Sequence, residues 1–235
     1  MGAIAEALQD IHRRIDDALA ASGRPTASTR LLAVSKTFPA EAIRAAHAAG
    51  QTAFGESYLQ EALAKIEQLA GLELEWHFIG PIQSNKTRPI AEHFAWVHGV
   101  DRLKLAERLS AARPAEMPPL EVCLQVNIGD EASKGGVAPA EAIALAHRVA
   151  ALPRLKLRGF MAIPRPTSDR AEQRAQFRQL RELFDRARAD GLAIDTLSMG
   201  MSDDLEAAIM EGATIVRVGS AIFGARDKTT REGQT

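Results

Sequence analysis

Two patterns of apolar residues alternate along this chain. Short, nearly continuous apolar runs are typical of strands buried on both faces, and stretches with an apolar residue every three or four positions are typical of helices that cover such strands. The short runs lie at residues 31–36, 52–55, 74–79, 96–100, 120–128, 155–163, 196–199 and 215–218. The helical stretches lie at residues 4–21, 39–50, 56–71, 84–94, 102–112, 139–151, 169–190 and 203–211.

Eight strands separated by helices predict the α/β class, and specifically a closed (β/α)8 TIM barrel with an additional N-terminal helix. The alternative is an open, doubly wound sheet of the Rossmann type, but no Gly-x-Gly-x-x-Gly follows an early strand. The N-terminal helix, within residues 1–22, precedes the first strand, and only residues 221–235 follow the last one. That remainder is too short and too polar for a full outer helix, so we expect the N-terminal helix to help cover the gap.

Length and composition favour one soluble domain. The 235 residues contain no linker, so we predict a single domain over residues 1–235, with residues 226–235 as a flexible tail. The net charge is −1 and both signs are interspersed, which excludes the basic surface of a nucleic-acid binder. Charged residues interrupt the apolar positions of the first 21 residues, so this segment is neither a signal peptide nor a membrane span. We expect a cytoplasmic protein with no membrane partner.

The cysteine and the histidines offer no metal site. Cys123, the single cysteine, lies in an apolar run and is interpreted as a buried hydrophobic residue. His77 is either a proton shuttle or a hydrogen-bonded histidine at a strand end. No metal-ligand spacing such as His-Glu-x-x-His connects the remaining histidines, which are His12, His47, His93, His98 and His147.

Lys36 ends the first apolar run, and Pro39 starts a helix soon after it. In a barrel the carboxyl ends of all strands meet on one face, which is where such proteins place their chemistry. An amine at this position is a candidate for a covalent bond with a carbonyl group, and a solvated strand-end lysine is the alternative. Other residues that follow predicted strands and belong to the same face are Glu56, Ser57, His77, Gly80, Asn127 and Met161.

The turns after the seventh and eighth strands form a candidate phosphate site. Backbone N–H groups at these two turns are the recurrent phosphate site of such barrels. The first turn contains Ser198, Met201 and Ser202, and the two aspartates after it are interpreted as helix caps. The second turn contains Gly219 and Ser220, where glycine permits close approach of the backbone.

A lysine amine and a phosphate site on one face favour two chemistries. One is Schiff-base catalysis on a phosphorylated sugar, and the other is covalent binding of pyridoxal 5′-phosphate. Arg217 projects to the same side of its strand as Gly219, and an inward arginine needs an anion or another acceptor. Because its pKa is above about 12, an arginine would leave a pyridine nitrogen unprotonated. Arg217 therefore favours pyridoxal 5′-phosphate, held as a weak electron sink.

Five stretches resemble the pyridoxal phosphate homeostasis (YggS/PROSC) family, and the resemblance covers nearly the whole chain. They read AVSKT at 33–37, FGESYLQE at 54–61, WHFIGPIQSNK at 76–86, LSMGMSDD at 197–204 and VRVGSAIFG at 216–224. The resemblance implies a barrel like the N-terminal domain of alanine racemase, with pyridoxal 5′-phosphate bound to Lys36 as an aldimine. It also implies that Arg217 faces the pyridine nitrogen. The implied phosphate cradle consists of Gly219, Ser220 and the turn with Ser198, Met201 and Ser202, and the choice between Ser198 and Ser202 stays open.

The resemblance implies a role in intracellular vitamin B6 and amino-acid homeostasis without an established turnover reaction. The alternative is a pyridoxal-phosphate-dependent racemase or a related enzyme. Racemisation needs an acid/base group on each face of the cofactor, and the racemases that resemble this barrel take the second from a tyrosine in another domain. Tyr58 is the only tyrosine here. We therefore expect a monomeric carrier whose partners are the cofactor and apoenzymes that need it. The family usually has Asn where this chain has Ser57, which puts any contact carried over to that position in doubt.

Overall fold

A computed structural model describes residues 2–129 and 135–224. Eight parallel strands close into a barrel in sequence order, with helices around it. The strands are β1 (Arg30–Val34), β2 (Ala53–Glu56), β3 (Glu75–Phe78), β4 (Trp96–Val100), β5 (Leu120–Gln125), β6 (Leu155–Met161), β7 (Thr196–Ser198) and β8 (Ile215–Val218). The helices of the described residues are α1 (Ala3–Ala21), α2 (Ala40–Ala48), α3 (Leu59–Gln68), α4 (Thr87–His93), α5 (Leu103–Ala112), α6 (Pro139–Ala150), α7 (Arg170–Ala189), α8 (Leu205–Met210) and α9 (Ser220–Phe223). The predicted (β/α)8 TIM barrel with an additional N-terminal helix is confirmed.

The strands are apolar on both faces because the helices cover one face and the barrel interior is packed with side chains from the other. β1 closes the barrel, since it pairs with β2 on one side and with β8 on the other. Cys123 is fully buried, and burial raises the pKa of its thiol to about 12. Its interpretation as a hydrophobic residue is thus confirmed. Six strands contribute to the interior cluster, which consists of Leu32, Ala53, Trp96, Cys123, Met161 and Ile215.

The helix α1 occupies the outer position that a regular barrel would fill after its last strand. The helix that follows β8, α9, has only four residues. α1 packs against α2, α8 and α9, and it buries the apolar face that contains Leu8, Ile11, Ile15 and Leu19. The prediction that the N-terminal helix covers this gap is confirmed.

Several element boundaries differ from the prediction at the carboxyl-terminal mouth of the barrel. β1 ends at Val34 rather than at residue 36, because the chain turns immediately afterwards. β5 ends at Gln125, and beyond it Val126 forms an isolated bridge with Val137 and donates one further hydrogen bond to the Met161 carbonyl. The helix predicted from Glu56 begins three residues later, since Glu56 is the last residue of β2.

Two further predictions concern the chain as a whole. No helix within the described ranges is both long and apolar enough to cross a membrane. The flexible tail predicted at residues 226–235 falls outside the described residues.

Candidate functional site

Lys36 lies on the carboxyl-terminal face of the barrel, in the turn that follows β1. It is half-buried, and the turn closes through a hydrogen bond of 3.0 Å from the Phe38 N–H to the Ser35 carbonyl. Thr37 has a φ of 70°, a left-handed conformation that β-branched residues rarely adopt. The Glu61 carboxylate accepts the Thr37 N–H at 2.6 Å. Lys36 therefore belongs to a strained turn that a neighbouring helix anchors.

A buried cluster of charged side chains lies beside this turn. Lys65 on α3 is 5% exposed, and it donates hydrogen bonds of 2.8 Å to both the Ser35 carbonyl and the Glu56 carboxylate. It also pairs with Glu61, one turn earlier on the same helix. Glu56 is fully buried at the end of β2 and accepts a hydrogen bond of 2.7 Å from the Ser35 hydroxyl. Lys65 thus connects α3 to the backbone immediately before Lys36.

Lys65 stabilises the negative charge of the buried Glu56 carboxylate. Burial raises the pKa of Glu56, whereas the charge and hydrogen bond of Lys65, together with the Ser35 hydroxyl, act in the opposite direction. Only one carboxylate oxygen of Glu56, Oε1, has hydrogen-bond partners among the described residues. A buried carboxylate with so few donors is stable mainly because its cation lies next to it.

Arg217 extends from β8 into the barrel interior and is 4% exposed. Its Nη1 donates to the Ser198 carbonyl at 2.6 Å and to the Ser198 hydroxyl at 2.9 Å, and its Nη2 donates to the Ala162 carbonyl at 3.0 Å. Burial lowers the pKa of the guanidinium to about 10, so it keeps its positive charge at neutral pH. The predicted inward arginine therefore has the acceptors that its burial requires.

The turns after β7 and β8 meet at the mouth of the barrel. The Ser220 hydroxyl donates to the Ser202 hydroxyl at 3.3 Å, so the two serines face the same small region. Gly219 lies against the end of β1, where an added Cβ would come within 3.1 Å of the Val34 carbonyl oxygen. This close approach brings the turn with Ser220 next to the turn with Lys36.

The helix α1 supports the turn after β7. Arg14 donates to the Ser202 carbonyl at 2.9 Å and forms two hydrogen bonds with Glu206, at 2.7 and 3.0 Å. Within the turn, the Met201 N–H donates to the Asp204 carboxylate, whose pKa is raised by burial. The N–H of Met201 is therefore used inside the protein, and the Ser202 side chain is the group that faces Ser220.

The geometry separates the two serines between which the sequence could not choose. Ser202 lies at the mouth, where its hydroxyl is 3.3 Å from that of Ser220. Ser198 is fully buried in the interior and contacts Arg217 through both its carbonyl and its hydroxyl. Ser202 is thus a residue of the mouth, whereas Ser198 is an interior partner of Arg217.

Two buried histidines behind Arg217 complete the polar part of the interior. His98 on β4 is fully buried, with its Nδ1 2.8 Å from the Ser198 hydroxyl and its Nε2 2.9 Å from the Nδ1 of His77. His77 is 1% exposed and has partners for both ring nitrogens, so it is the hydrogen-bonded histidine of the two alternatives. Sequence reasoning missed His98. The sequence feature that could have identified it is a single polar residue inside an apolar strand, because a buried polar group requires a partner.

The barrel was compared with known proteins by family, sequence and structure. Residues 7–227 match the family described as alanine racemase, N-terminal domain. The pyridoxal phosphate homeostasis protein of Pseudomonas aeruginosa is 64% identical over 228 residues, which cover 97% of each chain. The chain belongs to the pyridoxal phosphate homeostasis protein family. The protein of the same name from Escherichia coli strain K12 is 53% identical over 97% of this chain and 98% of its own.

Solved structures agree with this assignment. PipY of Synechococcus elongatus, solved with pyridoxal phosphate bound, is 40% identical and has a TM-score of 0.82, over 94% of this chain and 100% of PipY. Alanine racemase from Corynebacterium glutamicum is 19% identical with a TM-score of 0.72, over 95% of this chain and 61% of the racemase. The likeness to the racemase concerns the fold alone. The homeostasis-family barrel therefore corresponds to only part of the racemase chain.

The mouth of this homeostasis-family barrel combines three chemical capacities. The amine of Lys36 can condense with an aldehyde. The hydroxyls of Ser202 and Ser220 can donate hydrogen bonds to a phosphate group. Arg217 presents a buried cation whose N–H groups suit a neutral nitrogen or an anion.

Proposed function

We propose that this protein binds pyridoxal 5′-phosphate covalently through Lys36 and acts in intracellular vitamin B6 and amino-acid homeostasis. Lys36 would hold the cofactor, whose aldehyde would supply a carbonyl group that can condense with the uncharged amine and release one water molecule. Water reverses the reaction, and no further reactant is required. Such a bond can serve as a reversible tether, and this is the role that the proposed function assigns to it.

The adjacency of the turn that contains Lys36 and the turn that contains Gly219 and Ser220 is the observation that carries this proposal. Pyridoxal phosphate presents an aldehyde and a phosphate on one small ring, so its site needs an amine and phosphate donors on adjacent turns. β1 and β8 are neighbouring strands, and the turns that follow them contain Lys36 and Ser220. We assign the phosphate to Ser202 and Ser220, with Gly219 allowing close approach of the backbone. Met201 contributes by shaping the turn, because its N–H already binds Asp204.

Arg217, with Ser198 as its interior partner, suits the ring nitrogen of the cofactor. Three of the five N–H groups of Arg217 bind Ser198 and Ala162, and within the described part of the chain the other two stay available to a ligand. A pyridine nitrogen is an acceptor that an arginine can serve without giving up its proton. An unprotonated ring is a weak electron sink, which favours holding the cofactor over transforming amino acids.

The relatives support the same ligand. The Pseudomonas aeruginosa relative is named a pyridoxal phosphate homeostasis protein, and PipY was solved with pyridoxal phosphate bound. Their identities of 64% and 40% extend over 97% and 94% of this chain. We infer that this protein binds the same cofactor and hands it to apoenzymes that need it, as a monomer in the cytoplasm.

A racemase-like enzyme is the alternative function. Racemisation requires an acid/base group on each face of the bound substrate. Tyr58, the only tyrosine of the sequence, is 48% exposed at the start of α3. The racemases that resemble this barrel take the second acid/base group from a tyrosine in another domain, whereas the only tyrosine of this sequence lies within the barrel, between β2 and α3, which favours the carrier.

Absorption spectra and cofactor titration test the site. We expect the wild-type protein to turn yellow with pyridoxal phosphate, and Lys36→Ala to lose that band and bind at least about tenfold more weakly. Lys104→Ala, an exposed lysine on α5, is the matched control and should behave as wild type. An unchanged spectrum in Lys36→Ala would contradict the proposal.

Incubation with amino acids separates the carrier from the enzyme. The carrier should give no racemisation, decarboxylation or transamination above the rate of free pyridoxal phosphate. Addition of an apoenzyme that needs the cofactor should restore enzyme activity while the yellow band declines. Rapid turnover of any one amino acid would establish the enzyme alternative.

A further inference from the structure

A chain of hydrogen bonds crosses the barrel interior behind Arg217. Arg217 Nη1 donates to the Ser198 hydroxyl at 2.9 Å, and this hydroxyl lies 2.8 Å from His98 Nδ1. His98 Nε2 lies 2.9 Å from His77 Nδ1, and His77 Nε2 lies 2.7 Å from the Glu75 carboxylate. Glu75 is the first residue of β3 and is partly exposed at the amino-terminal end of the barrel. The chain therefore connects the two ends of the barrel.

The charged ends fix the direction of every hydrogen bond in this chain. Arg217 can only donate, so the Ser198 oxygen accepts from it, and the Ser198 hydroxyl donates to His98 Nδ1 when neutral His98 carries its proton on Nε2. Ionised Glu75 can only accept, so His77 Nε2 carries a proton. Neutral His77 must then accept at Nδ1, and the proton between the two rings belongs to His98 Nε2. Both imidazoles are therefore in the Nε2–H tautomer, with a partner for every ring nitrogen.

Burial keeps both imidazoles neutral. It lowers the pKa of His77 against the opposing effect of Glu75, and it lowers the pKa of His98 well below its usual range, with His77 and Arg217 adding to the effect. The hydrogen bond from His77 is the main reason that the pKa of Glu75 is about 2, and Arg30, at 2.6 Å, contributes.

The two ends of the chain of hydrogen bonds keep opposite charges at neutral pH. The pKa values of about 10 for Arg217 and about 2 for Glu75 differ by about eight. At neutral pH the Arg217 guanidinium is therefore protonated and the Glu75 carboxyl is ionised. The chain of hydrogen bonds links a fixed cation to a fixed anion and acts through orientation.

We propose that Glu75, His77, His98 and Ser198 are positioning residues that set the orientation of Arg217 toward the ring nitrogen of bound pyridoxal phosphate. The ligand in this inference rests on the proposed function, whereas the oriented chain does not. Because the Ser198 hydroxyl donates to His98, its lone pairs are turned to the guanidinium. A residue at the opposite end of the barrel thereby influences the group that contacts the cofactor.

Aromatic packing makes the chain rigid enough for this role. His77 stacks on Trp96, with ring centroids 5.3 Å apart and planes inclined by 7°. The Arg158 guanidinium contacts the same indole ring at 4.8 Å from its centroid. His77 cannot rotate without displacing Trp96, so we expect loss of the acceptor at Glu75 to change the tautomers before it changes the ring positions.

The tautomers can be measured without the cofactor. Long-range proton–nitrogen NMR of the wild-type protein with ¹⁵N-labelled histidine, at pH 7, reports which nitrogen of each ring is protonated. We expect Nε2–H for both His77 and His98. An imidazolium or an Nδ1–H form at either residue would overturn the proposed direction of the chain.

Substitutions at Glu75 test the effect on the cofactor. Glu75→Leu removes the terminal acceptor, Glu75→Gln keeps an acceptor oxygen without the charge, and Glu73→Leu removes an exposed carboxylate two residues earlier. For Glu75→Leu we expect mixed tautomers, shifted absorption maxima of bound pyridoxal phosphate, and an affinity about fivefold to tenfold lower, as for the loss of one hydrogen bond. Glu75→Gln should keep most of the wild-type behaviour because it retains an acceptor oxygen. Glu73→Leu should match the wild type.

The outcomes separate the two proposals. Wild-type tautomers and an unchanged cofactor spectrum in Glu75→Leu would overturn the positioning role. A wild-type protein with Nε2–H tautomers that binds no pyridoxal phosphate would overturn the proposed function and establish the oriented chain alone.

Discussion

Replacing Lys65 with methionine tests whether a buried ion pair supports the turn that contains Lys36. Methionine has a similar length and volume but lacks the charge and the three N–H donors. Glu56, fully buried, would keep only the Ser35 hydroxyl as a partner. The turn that contains Lys36 would also lose one of its links to α3, because Lys65 donates to the Ser35 carbonyl, and would keep the hydrogen bond from the Thr37 N–H to Glu61.

The expected decrease in the free energy of unfolding is about 3–5 kcal/mol at pH 7, as for removing one partner of a buried ion pair. The decrease falls in this range because both groups are buried, with Lys65 5% and Glu56 0% exposed. The side chain of Glu61 is 31% exposed and contributes less. An exposed pair would account for about 1 kcal/mol at most.

The pH dependence has a defined sign. Burial raises the pKa of Glu56 in the wild-type protein, and loss of Lys65 raises it further because its opposing charge and hydrogen bond disappear. A carboxyl with a higher pKa in the folded state binds more protons when folded, so stability falls as pH rises through that pKa. The stabilising contribution of the protonated Glu56 carboxyl is fully present below its unfolded-state pKa of about 4.3. The loss caused by Lys65→Met should therefore shrink as pH is lowered from 7 toward about 4.5.

Urea denaturation of the cofactor-free protein at pH 7 and pH 5 measures both effects. Lys104→Met on the exposed face of α5 is the control and should change the free energy of unfolding by no more than about 0.5 kcal/mol. The double variant Glu56→Leu with Lys65→Met should regain much of the stability, because no unpaired charge stays buried. A loss below about 1 kcal/mol at pH 7, or an equal loss at both pH values, would refute this reasoning.

Three further predictions concern other parts of the barrel. Arg14→Met should weaken pyridoxal phosphate binding about threefold to tenfold without loss of helix content by circular dichroism, because Arg14 supports the turn after β7; an unchanged dissociation constant would contradict that support. Gly159→Ala should lower the free energy of unfolding by about 3 kcal/mol or more, since Gly159 has a φ of 150° and an added Cβ would overlap a carbonyl oxygen of β7; Gly71→Ala, with open space around it, is the control, and equal urea midpoints would exclude the overlap. Cys123 should resist a thiol reagent at pH 8 until the protein unfolds, because it is fully buried with a pKa of about 12; rapid labelling of the folded protein would show that the interior is accessible.

The barrel was predictable because its determinants are local. Each buried strand is a short apolar run, and each outer helix repeats an apolar residue every three or four positions, so neither requires knowledge of distant residues. The position of α1 was predictable because few residues follow β8 in the sequence. The ends of β1 and β5 were predicted too late, because apolar residues continue into the turns while the hydrogen-bonded ladder stops.

The candidate site was predictable only where a residue follows a strand or projects from it. Lys36 and Arg217 met this condition. Lys65 did not, since a lysine on an amphipathic helix looks like part of the solvated face, and its burial depends on Glu56 in a different element. His77 and His98 meet only after the strands are staggered around the barrel, and single-strand patterns contain no information about that stagger.

Borohydride reduction of the wild-type protein loaded with pyridoxal phosphate, followed by peptide mass mapping, tests the central claim most directly. Reduction converts the C=N bond to a stable single bond, so the cofactor stays on the residue that held it. We expect the label on the peptide that contains Lys36, with Lys65 and Lys104 unmodified. A label on another lysine, or no label on a protein that binds the cofactor, would contradict the assignment of Lys36.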